Sequence, residues 1–313
     1  MTSLRQLGEF ALIRAIQKRI RSRDRSVLVG IGDDCAVLRG DDPDKVLLYT
    51  CDPVVERIHF RPNTPPRRVG WKAMARNLSD IAAMGGLPRW AIVSLGLRRS
   101  TSLHDVEQLY DGLQAAAQKF GCTIVGGDTT RVRREQFVVV SMLGEVERNR
   151  LVLRSGAHLG DSVFVTGMLG GSLRGKHLTF MPRIAEARWL SANFHVHTMI
   201  DVSDGLSSDL RRLVEANNAG IGFEIFAAEV PIARAARGSL HAALNDGEDF
   251  ELLFTLDPRD VTRLRRAWVK RFKLPLTEIG RVVRSRGKVT LISREGTKQV
   301  LPAKGYDHFA SAN

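Results

Sequence analysis

The sequence has few cysteines, few aromatic residues and no long apolar run. Its three cysteines, Cys35, Cys51 and Cys122, are odd in number and form no CxxC pair, which excludes a disulfide or zinc framework and favours thiols in a reducing cytoplasm. No apolar run approaches ~18 residues, so no transmembrane helix is predicted. The first 25 residues lack a signal-peptide core. We therefore expect a cytoplasmic protein that has no membrane partner.

Acidic residues are also in the minority. Asp and Glu number 34 against 47 Lys and Arg, which gives a formal net charge of +13, and the basic residues are densest at 259–273. Such basicity is compatible with nucleic acid, a membrane surface or a phosphorylated substrate. Aromatic residues make up only 6%, and no RNA-recognition signature or zinc finger accompanies the basic cluster. We interpret 259–273 as a solvated basic face and nucleic-acid binding as the less favoured hypothesis.

The apolar periodicity predicts helices and strands that alternate on both sides of a boundary near residues 146–153. This alternation indicates an α/β or α+β architecture. A chain of 313 residues favours two domains, which we assign to 1–148 and 149–313. The predicted helices are 9–21, 66–84, 103–120, 177–192, 205–217 and 258–272, and the predicted strands are 27–32, 46–50, 90–97, 123–126, 137–145, 162–166, 198–202, 222–225, 252–255 and 277–283.

Several aspartates stand in short strings flanked by glycine or apolar residues, at the ends of predicted strands or helices. Any one string is compatible with an ordinary turn or helix cap. Ionised carboxylates are rarely held in apolar surroundings unless they are paired or bind a metal. Oxygen ligands with few thiols or imidazoles suit Mg²⁺, so the strings together predict a Mg²⁺–nucleotide site. The strings are Gly32-Asp33-Asp34, Thr50-Cys51-Asp52, Ser79-Asp80, Gly126-Gly127-Asp128 and Asp201-Val202-Ser203-Asp204-Gly205.

A glycine-rich segment after the strand at 162–166 has the glycine and lysine spacing of a P-loop. It fails at His177, where a P-loop has the Ser or Thr that binds Mg²⁺. Pro182 also lies inside the helix that should follow. We interpret the segment as a glycine-rich turn with a basic surface. Its sequence is Gly170-Gly171-Ser172-Leu173-Arg174-Gly175-Lys176-His177.

Two further features leave alternatives open. His59 follows Asp52 closely, but a lone histidine is more often structural. Glu248 and Asp249 belong to an acidic turn before a predicted strand. Such a turn is usually solvated, although a cationic substrate ring could use it.

Seven motifs follow one another along the chain: Gly30-Ile31-Gly32-Asp33-Asp34, Asn77-Leu78-Ser79-Asp80-Ile81, Gly126-Gly127-Asp128-Thr129-Thr130, Val165-Thr166-Gly167, Ile200-Asp201-Val202-Ser203-Asp204-Gly205, Gly247-Glu248-Asp249-Phe250-Glu251 and Gly305-Tyr306-Asp307-His308. In this order they resemble the thiamine-monophosphate kinase family. The resemblance extends from Gly8-Glu9-Phe10 to Phe309 and covers nearly the whole chain. The set is highly specific, although one piece such as Gly-Gly-Asp is not.

The resemblance implies the two-domain fold of aminoimidazole-ribonucleotide synthetase, of class α/β (α+β). In that fold an N-terminal α/β domain dimerises, a C-terminal α/β domain completes the cleft, and ATP binds between them. The implied reaction moves the γ-phosphoryl group of ATP to thiamine monophosphate with Mg²⁺ as cofactor, in a homodimer. The alternative is a sister ATP-dependent enzyme of the same fold that acts on another phosphorylated small molecule.

The resemblance also implies roles for individual residues. Metal ligands would be Asp34, Thr50, Cys51, Asp52, Asp80, Asp128, Asp201 and Asp204. Contacts to ATP would come from Tyr110, Gly127, Asp128, Arg154 and Ser203. Contacts to the thiamine substrate would come from His59, Glu248 and Tyr306. Within these sets, Asp128, Arg154 and Asp204 are the expected catalytic residues.

The chain departs from the family pattern at four places, mostly on the acceptor side. Arg57 stands where the family usually has glycine, and Cys51 stands where a hydroxyl or acidic residue is usual, so any ligation by Cys51 would use its backbone. The segment 171–177 is shortened, and Asn245-Asp246 replaces a small-residue and glycine pair. Mg²⁺–ATP binding is therefore better supported than the identity of the acceptor.

Overall fold

Two β-sheets with helices packed on them form the computed structural model, which describes residues 3–20, 24–217 and 220–309. The first sheet has six strands in the order β1-β2-β3-β6-β4-β5, and the second has seven in the order β13-β12-β9-β11-β7-β10-β8. The strands are β1 Val27–Val29, β2 Ala36–Arg39, β3 Lys45–Val55, β4 Leu87–Arg98, β5 Thr123–Val132, β6 Phe137–Glu147, β7 Ser162–Thr166, β8 Val196–Asp201, β9 Ile221–Phe226, β10 Leu252–Leu256, β11 Leu276–Arg284, β12 Val289–Ile292 and β13 Lys298–Val300. The helices are α1 Leu4–Leu7, α2 Glu9–Arg19, α3 Pro66–Ala83, α4 Leu103–Phe120, α5 Ile184–Asn193, α6 Leu206–Ala216, α7 Leu240–Asn245 and α8 Val261–Arg271.

Helices α3 and α4 pack against each other, and α3 covers one face of the six-stranded sheet. Helix α4 begins where the sequence predicts, because the Ser102 hydroxyl accepts a hydrogen bond from the Asp105 amide at 3.1 Å. Gly70 and Gly112 allow the close approach of the two helices: a Cβ on Gly112 would lie 1.9 Å from the Arg67 carbonyl oxygen. None of the helices among the described residues has both the length and the apolar composition needed to span a bilayer.

Several predicted elements need correction. Strand β1 ends at Val29 and not at residue 32. Strand β5 continues to Val132, so Asp128 lies within a strand and not after its end. Strand β3 likewise runs through Asp52. The predicted helix 177–192 begins too early, because α5 starts only at Ile184. Pro182 lacks a backbone N–H and disfavours helical conformation in the residue before it, which explains the late start. The end of the predicted helix 9–21 lies partly outside the described residues.

One apolar core joins the two sheets through α3, and a second buried cluster fills the other face of the seven-stranded sheet. Leu78 of α3 belongs to the same buried cluster as Phe164 of β7 and Phe254 of β10. The last turns of α3 therefore lie against the C-terminal half, and the Ser79 hydroxyl donates to the Asp201 carboxylate at 2.6 Å. This contact brings the acidic end of α3 to the acidic end of β8.

Candidate active site

A cavity of about 530 Å³ opens where the two halves meet. Its walls come from β3, from the end of α3, and from the end of β8 with the turn that follows. Most of the predicted site residues line it together, although they are spread over the sequence. They are Asp34, Thr50, Cys51, Asp52, His59, Asp80, Arg154, Asp201, Ser203 and Asp204.

Three carboxylates form the centre of this cavity. One oxygen each from Asp34, Asp80 and Asp201 lies within 4.8 Å of the others. The Thr50 hydroxyl donates to Asp80 at 2.5 Å. Asp52 is held by the guanidinium of Arg76 at 2.9 Å. The Thr50 hydroxyl and the Arg76 guanidinium thus orient Asp80 and Asp52, and the carboxylates stay close together.

The clustered carboxylates are partly or fully buried, and they repel one another. Burial, followed by repulsion from Asp52 and Asp201, raises the pKa of Asp80 well above its usual value. Burial and then the charge of Asp34 raise the pKa of Asp201 to about 7. Negative charge that the protein does not fully neutralise, presented on carboxylate oxygens, fits a hard divalent cation such as Mg²⁺.

Arg154 supplies part of the compensating charge. Its guanidinium binds Asp34 with two nitrogens, at 2.6 and 3.3 Å, and its amide donates to Asp33 at 3.1 Å. The side chain lies in the segment between the two sheets and lines the cavity. A planar cation held in this way is suited to bind phosphate oxygens.

The C-terminal segment folds over the turn between β8 and α6. The Tyr306 amide donates to the Asp204 carbonyl at 2.9 Å. A Cβ on Gly305 would lie 2.1 Å from the same oxygen, so this position requires glycine. The Asp204 side chain is paired with Arg212 at 2.7 Å. Tyr306 is thereby held beside the acidic cavity.

Glu248 is oriented by two basic residues of α3 that the sequence reasoning missed. Lys72 is fully buried; it forms an ion pair with Glu248 and donates to the His59 carbonyl at 2.6 Å. Arg76 lies 3.5 Å from the other Glu248 oxygen. A buried lysine is almost always paired with an acid. The presence of a lysine on the apolar face of α3 could therefore have indicated a buried ion pair.

His59 is neutral near neutral pH. Burial, and then the charges of Arg76 and Lys72, lower its pKa to about 3. Its Nδ1 accepts a hydrogen bond from the Val55 amide at 3.0 Å, so the ring proton is on Nε2. His308 stands 5.3 Å from the His59 ring, and Tyr306 packs edge-on against His308 at 4.9 Å. The His59 and Tyr306 rings therefore both pack against His308, which lines the cavity.

Arg57, which replaces the usual family glycine, has a left-handed backbone with φ of 67°. A Cβ is unfavourable in this conformation, which explains why the family usually has glycine at this position. The Arg57 side chain is 67% exposed and lies 3.9 Å from Glu135, so it points to solvent. The substitution therefore affects the local backbone more than the lining of the cavity.

The glycine-rich segment is not a P-loop. The Gly170 amide donates to Asp249 at 2.8 Å and the Gly171 amide donates to Asp246 at 2.8 Å, so these amides do not face a phosphate. The acidic turn is also not solvated as a whole, because Asp249 and Glu251 are both 1% exposed. Glu251 is neutralised by Arg183 at 2.6 Å and by Lys176 at 2.8 Å (salt bridges across the C-terminal half).

Five predicted site residues do not line this cavity: Tyr110, Gly127, Asp128, Glu248 and Tyr306. Glu248 and Tyr306 lie next to it, because they contact its lining residues Arg76 and Asp204. Asp128 is exposed on the edge strand β5, in a cross-strand row with Ser94, Val139 and Pro53. Three strand spacings separate it from Pro53 by about 14 Å. Its side chain belongs to the face opposite that of Asp52, since neighbouring residues of a strand alternate. Tyr110 is 37% exposed on α4.

Comparison with known proteins agrees with this arrangement. Residues 32–146 match the family model "AIR synthase related protein, N-terminal domain", and residues 152–292 match the corresponding C-terminal domain. The chain is 37% identical to a thiamine-monophosphate kinase from Rhodopirellula baltica, over 92% of this chain and 95% of the relative. It is 33% identical to one from Bacillus subtilis, over 97% and 100%. The solved structure of AaThiL complexed with AMPPCP and TMP has a TM-score of 0.83 and 33% identity, covering 98% of this chain and 99% of that one. The expected two-domain fold is confirmed, and the chain belongs to the thiamine-monophosphate kinase family.

Proposed function

We propose that this protein transfers the γ-phosphoryl group of ATP to thiamine monophosphate, giving thiamine diphosphate and ADP. The observation that carries the proposal is the partly buried group of Asp34, Asp80 and Asp201 in a chain that aligns over almost its full length with AaThiL complexed with AMPPCP and TMP. A carboxylate cluster beside an arginine is the arrangement that metal-assisted phosphoryl transfer needs. Residues 1–148 and 149–313 are the proposed domains, with the reaction between them.

Mg²⁺ is the proposed cofactor, and the donor set fits it. Its ligands would be carboxylate and hydroxyl oxygens of Asp34, Thr50, Asp52, Asp80, Asp201 and Asp204. Cys51 would take part only through its backbone, because its Sγ is hydrogen-bonded to Ser141 at 3.1 Å on the exposed sheet face. When bound, Mg²⁺ supplies neutralisation of the phosphate charge.

The protein groups are suited to positioning rather than to strong base catalysis. The attacking atom is a phosphate oxygen that is ionised near neutral pH, so no powerful general base is required. Arg154 would bind the phosphate oxygens, and Ser203 would help to align the nucleotide. We propose direct in-line transfer without a phosphoenzyme. Incubation with radiolabelled ATP alone should leave the protein unlabelled, and a stable labelled protein would contradict direct transfer.

The acceptor would lie against Glu248, His59 and Tyr306. The Glu248 carboxylate and the aromatic face of Tyr306 suit a cationic thiazolium ring. A neutral His59 adds no positive charge to repel that ring, and its Nε2–H can donate a hydrogen bond. Lys72 and Arg76 would act as positioning residues, because they fix Glu248.

We also propose a homodimer. Support comes from large apolar side chains on the sheet face opposite α3: Tyr49, Trp90 and Ile92 are 45%, 47% and 43% exposed. An apolar face of this kind usually packs against another protein surface. Asp128 belongs to the same face, so a second chain could bring it to the cavity of the first. A cytoplasmic location is proposed from the three unpaired cysteines.

The dimer proposal has a direct test in mixed dimers. Asp128→Asn and Asp201→Asn should each be inactive as homodimers. If Asp128 acts in the partner's site, refolding the two variants together should restore about a quarter of the native activity per chain, since half of the dimers are mixed and each has one intact site. No recovery, with mixed dimers present by light scattering, would contradict a role in the partner's site.

The reaction itself is tested with purified protein, ATP, Mg²⁺ and thiamine monophosphate, by chromatography of thiamine diphosphate and ADP. Equal formation of both products is expected. ATP turnover on another phosphorylated acceptor, without thiamine diphosphate, would favour the sister-enzyme hypothesis. Nucleic-acid binding is not favoured, because arginines of the basic segment are engaged locally: Arg263 pairs with Asp260 at 2.9 Å, and Arg265 with Glu278 at 2.7 Å.

A further inference from the structure

A second group of metal-binding side chains lies at the other end of the C-terminal sheet. It consists of His158, Asp161 and His197, each of which offers one ligand atom within 4.8 Å of the others. His197 precedes Asp201 by four residues on β8, which corresponds to about 13 Å along the strand. The group is therefore separate from the acidic cavity, and none of its members lines that cavity.

A tight turn and a β-bulge hold the three side chains together. The Asp161 amide donates to the His158 carbonyl at 3.2 Å, which closes a turn with Gly160 at φ of 93°. On β8, Thr198 pairs with Thr255 and Val196 pairs with Leu256, so His197 is the extra residue of a bulge. Bulges re-aim a side chain relative to its neighbours. The turn positions His158 and Asp161, and the bulge positions His197, so that the three side chains meet.

Asp161 is the fixed member of the group. It is 2% exposed, and its Oδ2 accepts from the His158 amide at 2.8 Å and from His197 Nδ1 at 2.9 Å. The His158 and His197 rings are only 4.1 Å apart between centroids, inclined at 56°. An ion pair with His197 alone would satisfy Asp161. That ion pair does not explain why the His158 imidazole lies at the same place.

We propose that His158, Asp161 and His197 bind a divalent transition-metal ion of the zinc class. Two imidazoles and one carboxylate are ligands that Zn²⁺ prefers, at about 2.0–2.2 Å each, which sets neighbouring ligand atoms about 3.3 Å apart. The 2.9 Å between His197 Nδ1 and Asp161 Oδ2 is already close to this spacing. The metal ion takes the place of the proton between His197 Nδ1 and Asp161 Oδ2, and this proton is released to solvent. His158 is exposed, so its ring can adjust and a water can take the fourth position.

Zinc binding to the metal-free full-length protein tests the proposal. A fluorescent zinc chelator is used as competitor, with Mg²⁺ in excess to occupy the oxygen-rich cavity. One Zn²⁺ per chain is expected, with affinity at least about tenfold lower in His158→Ala and in His197→Ala. The exposed His104→Ala on α4 is the matched control and should bind as the native protein does. Equal affinity in native protein and His197→Ala would overturn the proposal.

Two further measurements separate ligand loss from misfolding and from thiol binding. Zn²⁺ should raise the melting temperature of the native protein and of His104→Ala but not of His158→Ala, while all three melt cooperatively without metal. The Co²⁺ complex should show visible bands of nitrogen and oxygen ligation without thiolate charge transfer. Zinc that is retained in the histidine variants but lost on alkylation of Cys51 would also overturn the proposal.

Discussion

Replacing Asp201 with asparagine is expected to stabilise the metal-free protein while it abolishes kinase activity. Asp201 is 2% exposed, and its pKa is raised from 3.8 to about 7 in the folded protein, by burial and then by Asp34. The unfolded chain ionises as the pH rises past 3.8, whereas the folded chain ionises only near 7. The folded state therefore loses stability across this window. The difference of about three pKa units corresponds to about 4 kcal/mol above pH 7, at about 1.4 kcal/mol per unit.

Asparagine cannot ionise, so the variant does not lose the stability that ionisation of Asp201 costs the native protein. Its side chain has nearly the same size, so the local packing is kept. Its amide oxygen can still accept the Ser79 hydrogen bond, which is 2.6 Å long with the native carboxylate. With an unfolding entropy of about 2.1 cal/mol/K per residue, 4 kcal/mol corresponds to a rise of about 6 °C in melting temperature at pH 8. Little change is expected at pH 4, where the native carboxylate is already protonated in the folded state.

Scanning calorimetry in EDTA at pH 4 and pH 8 measures both effects. The control is Asp41→Asn, an exposed acid outside the cavity, whose melting temperature should not change. Mg²⁺ should stabilise the native protein more than the variant, because the variant lacks one carboxylate ligand. An Asp201→Asn protein that melts like the native protein at pH 8, or that gains equally at pH 4, would refute the charge repulsion described for the cluster.

Three further variants test other parts of the molecule. Arg57→Gly should raise the melting temperature by about 1.5 °C in calorimetry, because about 1 kcal/mol of left-handed strain disappears; an unchanged value would contradict this. Gly112→Ala should lower the melting temperature by at least about 3 °C in circular dichroism, since the added Cβ meets the Arg67 carbonyl; a rise would mean that helix propensity prevails. Lys72→Met should raise KM for thiamine monophosphate about tenfold and KM for ATP less than about twofold in steady-state kinetics, because it frees Glu248; equal changes would exclude a specific acceptor role.

Elements with strong local signals were predictable from the sequence. Helix α4 has a serine cap and a C-terminal Gly121 with φ of 75°, and both bounds match the prediction. Strand β7 is buried at every position, and its centre is the apolar, β-branched and aromatic segment 163–165. The helix at 177–192 was mispredicted because its composition is compatible with a helix, and Pro182 was accepted within its first turns. The length of β5 was missed because glycine and aspartate are poor strand formers, and pairing with β4 overrides that preference.

Some residues of the candidate site were also predictable from the sequence, and others were not. Asp34, Asp80 and Asp201 were recognisable from their strings, because each carries its apolar or glycine context in adjacent residues. Lys72 was not recognisable, since its partner Glu248 is 176 residues away in sequence. Nothing local to either residue indicates that they form a pair.

The sequence by itself determined the family, the α/β (α+β) class and the acids expected at a phosphate-transfer site. Only the tertiary structure decided which of those acids meet: Asp34, Asp80 and Asp201 come together, whereas Asp128 lies on the opposite sheet face. It also decided that Asp201 has a pKa of about 7. The physical reason is that charge repulsion and burial depend on distances between segments that are far apart in sequence. Those distances are set only when the two halves pack against each other through α3.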